Sequence, residues 1–345
     1  MINTALVSFG MSGKVFHAPF LASNPNFNLV GSWERSTKNI EDAYPGSKSF
    51  ASYEELLADA SIGLVVVNSP NDTHFAYTKS ALLAGKHVVV EKAFTVTAKE
   101  AEELDLLATS KGLKLAVYQN RRYDADFLTI QKLIQEDEIG VLQDVQISFE
   151  RYRTTLSPKK HKESVSPGAG LLYDLGPHLV DQAILLSGMP IAVFADIRIT
   201  RKVSIIDDYF TLILYYPSHR ITLTSGMMFM TESPGYKIYG TKGCFIKNRS
   251  DIQEADLMVG KKPNSLNWGA EATEDYGTLY TDMNGIITNK VIPSMPGNYG
   301  IFYEKMANAI LNNGPVPTSA KEGTNIIRVL EAARNSAFNK RVVGV

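Results

Sequence analysis

Cysteine is almost missing from this chain, and neither sign of charge is in excess. Cys244 is the only cysteine among 345 residues, which excludes an internal disulfide and suits a reducing compartment, so we expect a cytoplasmic protein. The 35 Lys and Arg side chains are balanced by 36 Asp and Glu side chains. A chain so balanced has no electrostatic reason to bind nucleic acid or a strongly acidic partner.

Long apolar runs and metal-binding spacings are missing as well. No window reaches the roughly 18 apolar residues that a membrane helix needs, and the N-terminus is typical of a strand rather than of a signal peptide. The six histidines include no His-x-x-x-His pair, and there are no paired cysteines. We therefore expect no membrane partner and no metal site. The length favours two domains.

The first 121 residues alternate short apolar runs with helical patterns. Runs such as 64–67 are apolar without alternation, as in strands that are buried on both faces. Ser52 with Glu55, and Thr97 with Glu100, have capping-box spacing at helix starts. This alternation predicts an α/β domain with a doubly wound parallel sheet. The predicted strands are 4–10, 28–34, 62–70, 86–93 and 114–120, and the predicted helices are 52–59, 72–85 and 97–112.

The pattern changes after residue 121. Several strands then follow one another at hairpin spacing and alternate apolar with polar residues, which predicts a largely antiparallel sheet with one open face. Residues 122–345 are therefore predicted to form a second, α+β domain. Its predicted helices are 124–138, 170–187, 299–313 and 319–338, and its predicted strands are 141–153, 192–200, 208–216, 220–229 and 235–247.

A degenerate dinucleotide fingerprint follows the first strand. In "VSFGMSGKVFH", Gly10 and Gly13 match the second and third glycines of G-x-G-x-x-G, and Ser8 stands in the first position. Backbone N–H groups at a helix start bind pyrophosphate, and glycine lets the phosphate approach. We predict that the turn formed by Gly10, Met11, Ser12 and Gly13 binds a dinucleotide, which makes the first domain a Rossmann domain.

The residues after the second strand bear on the choice between NAD and NADP. Glu34 stands roughly twenty residues past the glycines, where an acidic residue binds the ribose 2′-hydroxyl of NAD. Arg35, Ser36, Thr37 and Lys38 follow it, and such a group can hold the 2′-phosphate of NADP. A polar loop after any strand would look the same. The sequence leaves NAD and NADP open as the cofactor, and we favour NADP.

Two short motifs carry candidate catalytic groups. Glu91 and Lys92 follow a buried strand of the parallel sheet, where open α/β folds bind their ligands. Taken alone, this pair is as well explained by a solvated strand end. Asp174 and His178 are four residues apart, so on a predicted helix they share one face. Imidazole is a common proton acceptor, but this pair is also compatible with half of a metal site or a capped core histidine.

Several of these motifs together resemble the Gfo/Idh/MocA family of NAD(P)-dependent sugar and cyclitol dehydrogenases. The resemblance rests on "NSPNDTH" (68–74), "EKAFTVTAKEAEEL" (91–104), "YQNRRYDADF" (118–127), "GAGLLYDLGPHLVDQ" (168–182) and "NWGAE" (267–271), in this order along essentially the whole chain. "GKVFHAPF" and "QNRRYDADF" are most similar to the branch that includes NADP-dependent scyllo-inositol dehydrogenases.

The resemblance implies roles for individual residues. Lys92, Asp174 and His178 would line the nicotinamide. His178 would take the proton of the substrate hydroxyl, Lys92 would polarise its oxygen, and Asp174 would hold the substrate and the histidine. Ala93 stands where the family has a proline. Further residues implied at the cofactor are Ser69, Pro70, Asn71, His74, Glu91, Gln119 and Asn120, and those implied near the substrate are Tyr152 and Arg153.

From these motifs we expect one of three functions for this protein, and we expect it to form an oligomer. The first function is a dehydrogenase that acts on a sugar, inositol or related polyol. The alternatives are a glycosidase that uses bound NAD for a transient oxidation, and a non-catalytic NAD(P)-binding regulator. The open face of the second sheet favours a homodimer or homotetramer, because a large exposed apolar patch is unfavourable. The segment 227–230 is a candidate for the contact surface.

Overall fold

The structure is a computed structural model that describes residues 1–34, 37–158, 163–231 and 233–345. The described chain divides into two compact units. The first unit consists of Met1–Asn120, Gln253–Trp268 and Asn298–Thr324, and the second consists of Arg121–Ile252, Gly269–Gly297 and Asn325–Val345.

The first unit contains a parallel sheet of six strands among the described residues, in the order β3-β2-β1-β4-β5-β6. This is the strand order of a dinucleotide-binding Rossmann fold. The residues of β4 and the three valines of β5 are fully buried, as their apolar runs predict. The strands are β1 Ile2–Leu6, β2 Phe27–Trp33, β3 Lys48–Phe50, β4 Leu64–Val67, β5 His87–Glu91 and β6 Leu115–Tyr118.

Two helices of this unit begin where their capping-box spacing predicts, whereas the short helices at 18–23, 39–43 and 253–258 were not predicted. Ser52 accepts a hydrogen bond from the backbone N–H of Glu55, and Thr97 with Glu100 forms a complete capping box. A π-helix, Gly13–His17, precedes the first α-helix. The α-helices are α1 Ala18–Ser23, α2 Asn39–Ala43, α3 Tyr53–Ala58, α4 His74–Leu83, α5 Ala98–Ser110, α9 Gln253–Met258 and α10 Gly300–Leu311.

The second unit contains a sheet of nine strands among the described residues. Only β7 with β10 pairs in parallel there, and all other described pairs are antiparallel. The predicted fold class, a Rossmann domain followed by an α+β domain with a largely antiparallel sheet, is confirmed. The strands are β7 Leu142–Glu150, β8 Ala192–Arg198, β9 Tyr209–Tyr215, β10 Arg220–Gly226, β11 Tyr236–Gly240, β12 Gly243–Lys247, β13 Gly277–Met283, β14 Ile286–Ile292 and β15 Val343–Gly344.

The two faces of this sheet differ in burial. Alternate residues such as Val145, Leu212 and Leu223 are fully buried, while their sequence neighbours on the other face are partly exposed. Helix α8 packs against β10. The remaining helices are α6 Ala125–Gln135, α7 Leu171–Asp174, α8 Gly176–Ser187 and the closing helix α11 Ala320–Asn339.

Two predictions for this unit are wrong in detail. The segment 235–247 is a hairpin of β11 and β12 rather than one strand. The predicted helix 170–187 is divided at Leu175 into α7 and α8. Pro177 has no N–H to continue the hydrogen bonds of the first helix, and this explains the division. Asp174 therefore ends α7 and His178 lies in the first turn of α8, so they do not share one continuous helix.

Candidate active site

The turn after β1 has the geometry of a pyrophosphate-binding loop. Gly13 cannot carry a side chain, because a Cβ atom there would lie 2.4 Å from the carbonyl oxygen of Ser8. Gly10 is exposed, and a Cβ atom there would meet only Ser8 Oγ, at 3.6 Å. The N–H groups of a first helical turn lack intrahelical acceptors. Met11, Ser12 and Gly13 therefore offer donors beside an open approach, which fits a pyrophosphate group.

Ser8 stands in place of the first fingerprint glycine, and hydrogen bonds to Asn68 hold the loop there. Its backbone N–H donates to Asn68 Oδ1 over 2.9 Å, and its carbonyl accepts from Asn68 Nδ2 over 2.7 Å. The Ser8 hydroxyl donates to the carbonyl of Asn68. Asn68 thus joins the ends of β1 and β4, a role that the sequence pattern did not reveal.

Glu34 binds its own loop. Its carboxylate accepts hydrogen bonds from the Thr37 hydroxyl over 2.7 Å, from the backbone N–H of Asn39 over 3.2 Å and from that of Ile40 over 3.0 Å. The two backbone donors belong to the start of α2, so the carboxylate stabilises this helix start. Arg35 and Ser36 lie outside the described residues. Lys38 is exposed.

Glu91 connects the phosphate loop with the segment of Lys92. Its Oε1 accepts from Ser12 Oγ over 2.5 Å and contacts His17 Nε2 at 3.0 Å, and its Oε2 accepts from the backbone N–H of Lys92. His17 Nδ1 lies 2.6 Å from the hydroxyl of Tyr303. Burial raises the pKa of Glu91, but the hydrogen bonds from His17 and Ser12 outweigh burial and lower the pKa to about 2. Glu91 is therefore ionised at neutral pH.

His74 fixes a second loop beside Lys92. Its buried ring lies between two carbonyl oxygens, with Nδ1 at 2.8 Å from Ala93 O and Nε2 at 2.9 Å from Ser69 O. Carbonyl oxygens only accept, so a ring with one proton can donate to only one of them, while burial lowers the pKa of His74. The peptide bond between Lys92 and Ala93 is cis. Pro70 is exposed, and Asn71 begins the 3-10 turn Asn71–Thr73 ahead of α4.

Gln119 and Asn120 follow β6 and are buried, with exposures of 2% and 6%. Gln119 Oε1 accepts no hydrogen bond from the residues that the structure describes. A buried amide oxygen without a donor is costly unless a ligand supplies one. The carboxamide of nicotinamide carries such N–H donors, so these residues fit the cofactor that the resemblance implies.

The predicted catalytic groups of the second unit lie on α7 and α8. Asp174 is partly exposed, and His178 is buried with 5% exposure. One turn further along α8, Asp181 forms a two-point ion pair with Arg122, with distances of 2.9 and 2.6 Å. This ion pair makes Asp181 a structural residue of α8.

Tyr152 and Arg153 continue the chain beyond β7. Tyr152 forms an isolated bridge with Met228, and the backbone N–H of Arg153 donates to the carbonyl of Met227. Both side chains are exposed.

Across the described ranges no group of three or more His, Cys, Asp or Glu side chains is placed to hold a metal ion. None of the helices in those ranges is long and apolar enough to cross a membrane.

The sequence analysis missed His17 and Tyr303 as parts of this site. His17 is fully buried within the π-helix, and Tyr303 is fully buried on α10, 286 residues away. His17 lies within "GKVFHAPF", but nothing in that motif gives the histidine a role, and Tyr303 belongs to none of the motifs. Only their contact in the folded first unit reveals them.

Comparison with known proteins assigns both units. Residues 2–119 match the Gfo/Idh/MocA oxidoreductase family, NAD-binding Rossmann fold, and residues 131–345 match the C-terminal alpha/beta domain of the same family. The fold and the phosphate loop define a nicotinamide-dependent dehydrogenase. The chain belongs to the Gfo/Idh/MocA oxidoreductase family.

Some relatives match almost the whole chain, and others match only part of it. The scyllo-inositol 2-dehydrogenase (NADP(+)) IolW of Bacillus subtilis is 38% identical over 342 residues, which are 99% of this chain and 95% of the relative. D-xylose 1-dehydrogenase (NADP(+)) of Hypocrea jecorina is 40% identical over 109 residues, or 32% of this chain and 28% of the relative. The crystallised oxidoreductase YvaA of Bacillus subtilis has a TM-score of 0.97 at 38% identity, covering 100% of this chain and 98% of the other.

Proposed function

We propose that this enzyme transfers a hydride between NADP and a CH–OH carbon of a sugar, an inositol or a related polyol. The observation that carries the proposal is the hydrogen bond from Ser12 to Glu91, which ties the phosphate loop to the segment of Lys92. A nicotinamide cofactor bound at this loop would supply the hydride acceptor. The polyol class is supported by the relatives, which are named as inositol and xylose dehydrogenases.

Three side chains have proposed roles in this reaction. His178 takes the proton from the substrate hydroxyl, as a buried imidazole can do near neutral pH. Lys92 donates a hydrogen bond to the same oxygen and stabilises the negative charge that develops there. Asp174 holds the substrate and orients the histidine. These roles rest on the family resemblance, and the partial burial of Lys92 is compatible with its role.

The preference for NADP is supported by Glu34. In NAD-binding Rossmann domains an acidic residue at this place accepts from the ribose 2′-hydroxyl, whereas both oxygens of Glu34 already accept hydrogen bonds from Thr37, Asn39 and Ile40. A carboxylate so engaged is a poor ribose ligand. Two relatives are also named for NADP.

Turnover of candidate polyols with NADP, followed by the absorbance of the reduced nicotinamide, tests this function. We expect Lys92→Ala and His178→Ala to lower kcat by roughly 10²–10⁴-fold, the usual contribution of a general acid or base. Lys79→Ala is the matched control for the lysine, and His219→Ala is the matched control for the histidine. Both residues lie outside the candidate site, and Lys79 is partly exposed. Unchanged turnover in the first two variants would refute the assigned roles. Sugar hydrolysis without net reduction of the cofactor would favour the glycosidase. Cofactor binding without any turnover would favour the regulator.

We also propose that the protein forms a homodimer or homotetramer through the open face of the second sheet. Apolar side chains remain exposed there, including Ile287 at 70% and Val291 at 57%, and Met230 beyond β10 is 76% exposed. Burial of such a face would stabilise an assembly. Light scattering of the purified protein checks this, and a monomer at micromolar concentration would contradict it.

The single cysteine continues to favour a cytoplasmic location.

A further inference from the structure

Two fully buried side chains and one largely buried carboxylate form a chain of hydrogen bonds next to the phosphate loop. Tyr303 on α10 contacts His17 of the π-helix, and His17 contacts Glu91 at the end of β5. Tyr303 and His17 are fully buried, and the Glu91 side chain is 12% exposed. We call these three residues the relay. Nothing in the proposed chemistry requires Tyr303 or His17 to touch the cofactor or the substrate.

The two ends of the relay decide which ring nitrogen carries the proton when His17 is neutral. Ionised Glu91 can only accept hydrogen bonds, so the proton of a neutral His17 ring lies on Nε2. His17 Nδ1 is then an acceptor for the Tyr303 hydroxyl. Burial, together with the charge of Glu91, raises the pKa of Tyr303 well above its usual value, so this hydroxyl keeps its proton. In this arrangement every donor has an acceptor.

The end of the relay acts on two parts of the candidate site at once. One oxygen of Glu91 holds the Ser12 hydroxyl of the phosphate loop, and the other holds the backbone N–H of Lys92. The orientation of this carboxylate therefore fixes both the loop and the chain at the lysine. His17 is the last residue of a π-helix, a rare geometry that often occurs at functional sites.

We propose that His17 and Tyr303 are positioning residues, which hold Glu91 in the orientation that orders the phosphate loop and Lys92 together. The inference rests on the proposed function for its catalytic consequence, but its structural part holds for the cofactor-free protein. The relay reaches the phosphate loop through Ser12 and the lysine segment through the backbone N–H of Lys92.

The experiment compares His17→Asn, His17→Gln and Tyr303→Phe with the wild type. A glutamine amide can occupy the place of Nε2 and donate to Glu91, whereas an asparagine amide reaches only the place of Nδ1. Tyr303→Phe removes the hydroxyl but keeps the ring that stacks on Phe20. Tyr216→Phe is the matched control, because it removes a largely buried tyrosine hydroxyl that donates to Gly188 O in the second unit.

Two readouts separate this inference from the proposed function. Hydrogen exchange of the cofactor-free protein is measured in two segments, at the Lys14 amide of the phosphate loop, which donates to Gly10 O, and at the Lys92 amide. NADPH affinity is measured by calorimetry. We expect roughly tenfold faster exchange in both segments for His17→Asn and Tyr303→Phe, the size of a lost hydrogen bond, and roughly tenfold weaker NADPH binding. His17→Gln should lose less than His17→Asn, because it keeps the donor to Glu91 although it loses the acceptor of the Tyr303 hydroxyl, and Tyr216→Phe should show neither loss.

The outcomes are distinguishable. Exchange at wild-type rates in both His17→Asn and Tyr303→Phe would overturn the relay, whatever the cofactor affinity. Equal losses in His17→Gln and His17→Asn would also overturn it, because rescue by the retained donor is its specific consequence. A wild-type protein that binds no nicotinamide cofactor would refute the proposed function, while the exchange data would still decide on the relay.

Discussion

At the scale of single residues, Glu91 shows how a buried charge is kept in place. Desolvation disfavours its ionised form, yet three donors surround the carboxylate: the Ser12 hydroxyl, the His17 ring and the backbone N–H of Lys92. Charge-assisted hydrogen bonds of this kind are stronger than neutral ones. The ionised side chain therefore belongs to the stable fold as well as to the candidate site.

The pH dependence of stability tests this account of Glu91. The folded pKa is about 2, below the ordinary value of 4.5. A lowered pKa stabilises the folded state above about pH 4.5, and the stabilisation is lost as the pH falls towards the folded pKa. This contribution is of the order of 3 kcal/mol. We expect the free energy of unfolding in urea to fall less steeply between about pH 5 and about pH 3 in Glu91→Gln than in the wild type. Parallel curves would contradict a lowered pKa.

At the scale of elements, the turn between β1 and the first helix contains two glycines that are needed for different reasons. Gly13 is needed by the fold, because its Cβ atom would collide with the Ser8 carbonyl, whereas the space at Gly10 is open on the protein side. An added methyl group at Gly10 would occupy the approach of the pyrophosphate. The two positions should therefore respond differently to the same substitution.

Alanine at each glycine makes a matched pair. We expect Gly13→Ala to lower the free energy of unfolding by about 1–3 kcal/mol, the usual cost of overpacking. Gly10→Ala should leave stability within about 0.5 kcal/mol of the wild type. Its affinity for NADPH should fall by roughly tenfold or more, because the loop can no longer meet the phosphates closely. Thermal unfolding and calorimetry give the two quantities. Normal cofactor affinity in Gly10→Ala would argue against pyrophosphate at this turn.

Strong local signals made most elements predictable from the sequence. The buried strands of the first sheet appear as apolar runs. Ser319 and Glu322, which have the same spacing as Ser52 and Glu55, form a capping box at the start of α11. Short or exposed elements were missed. β3 has three residues, and β14 is exposed on both faces, so neither shows a period. Asn284 and Gly285 both have positive φ and form the β13–β14 hairpin turn, and Asn-Gly is a recognised hairpin signal in a sequence.

The candidate site was only partly predictable, because some of its contacts join distant segments. Glu91 and the glycines could be predicted as site residues because each follows a predicted strand of the parallel sheet. The hydrogen bonds of Glu34 within its own loop depend on how the chain turns after β2, which no residue pattern specifies. The approach of Tyr303 to His17 depends on the packing of α10 in the first unit.

At the scale of the whole molecule, the Rossmann fold defines the cofactor class, and Glu34 bears on the choice between NADP and NAD. The six-stranded sheet has the strand order of a Rossmann fold, and we propose that the dinucleotide binds at the ends of β1, β4 and β5. Glu34 faces its own loop instead of a ribose, which favours NADP over NAD. The central claim is therefore that the enzyme binds NADP at the loop of Gly10 to Gly13.

Calorimetric titration of the purified protein with NADPH and, separately, with NADH tests this claim most directly. Any cofactor that co-purifies is first released and identified. We expect NADPH to bind at least tenfold more tightly than NADH, a difference of about 1.4 kcal/mol. Tighter binding of NADH would contradict the assignment of Glu34, and binding of neither cofactor to a cofactor-free protein would contradict the dehydrogenase itself.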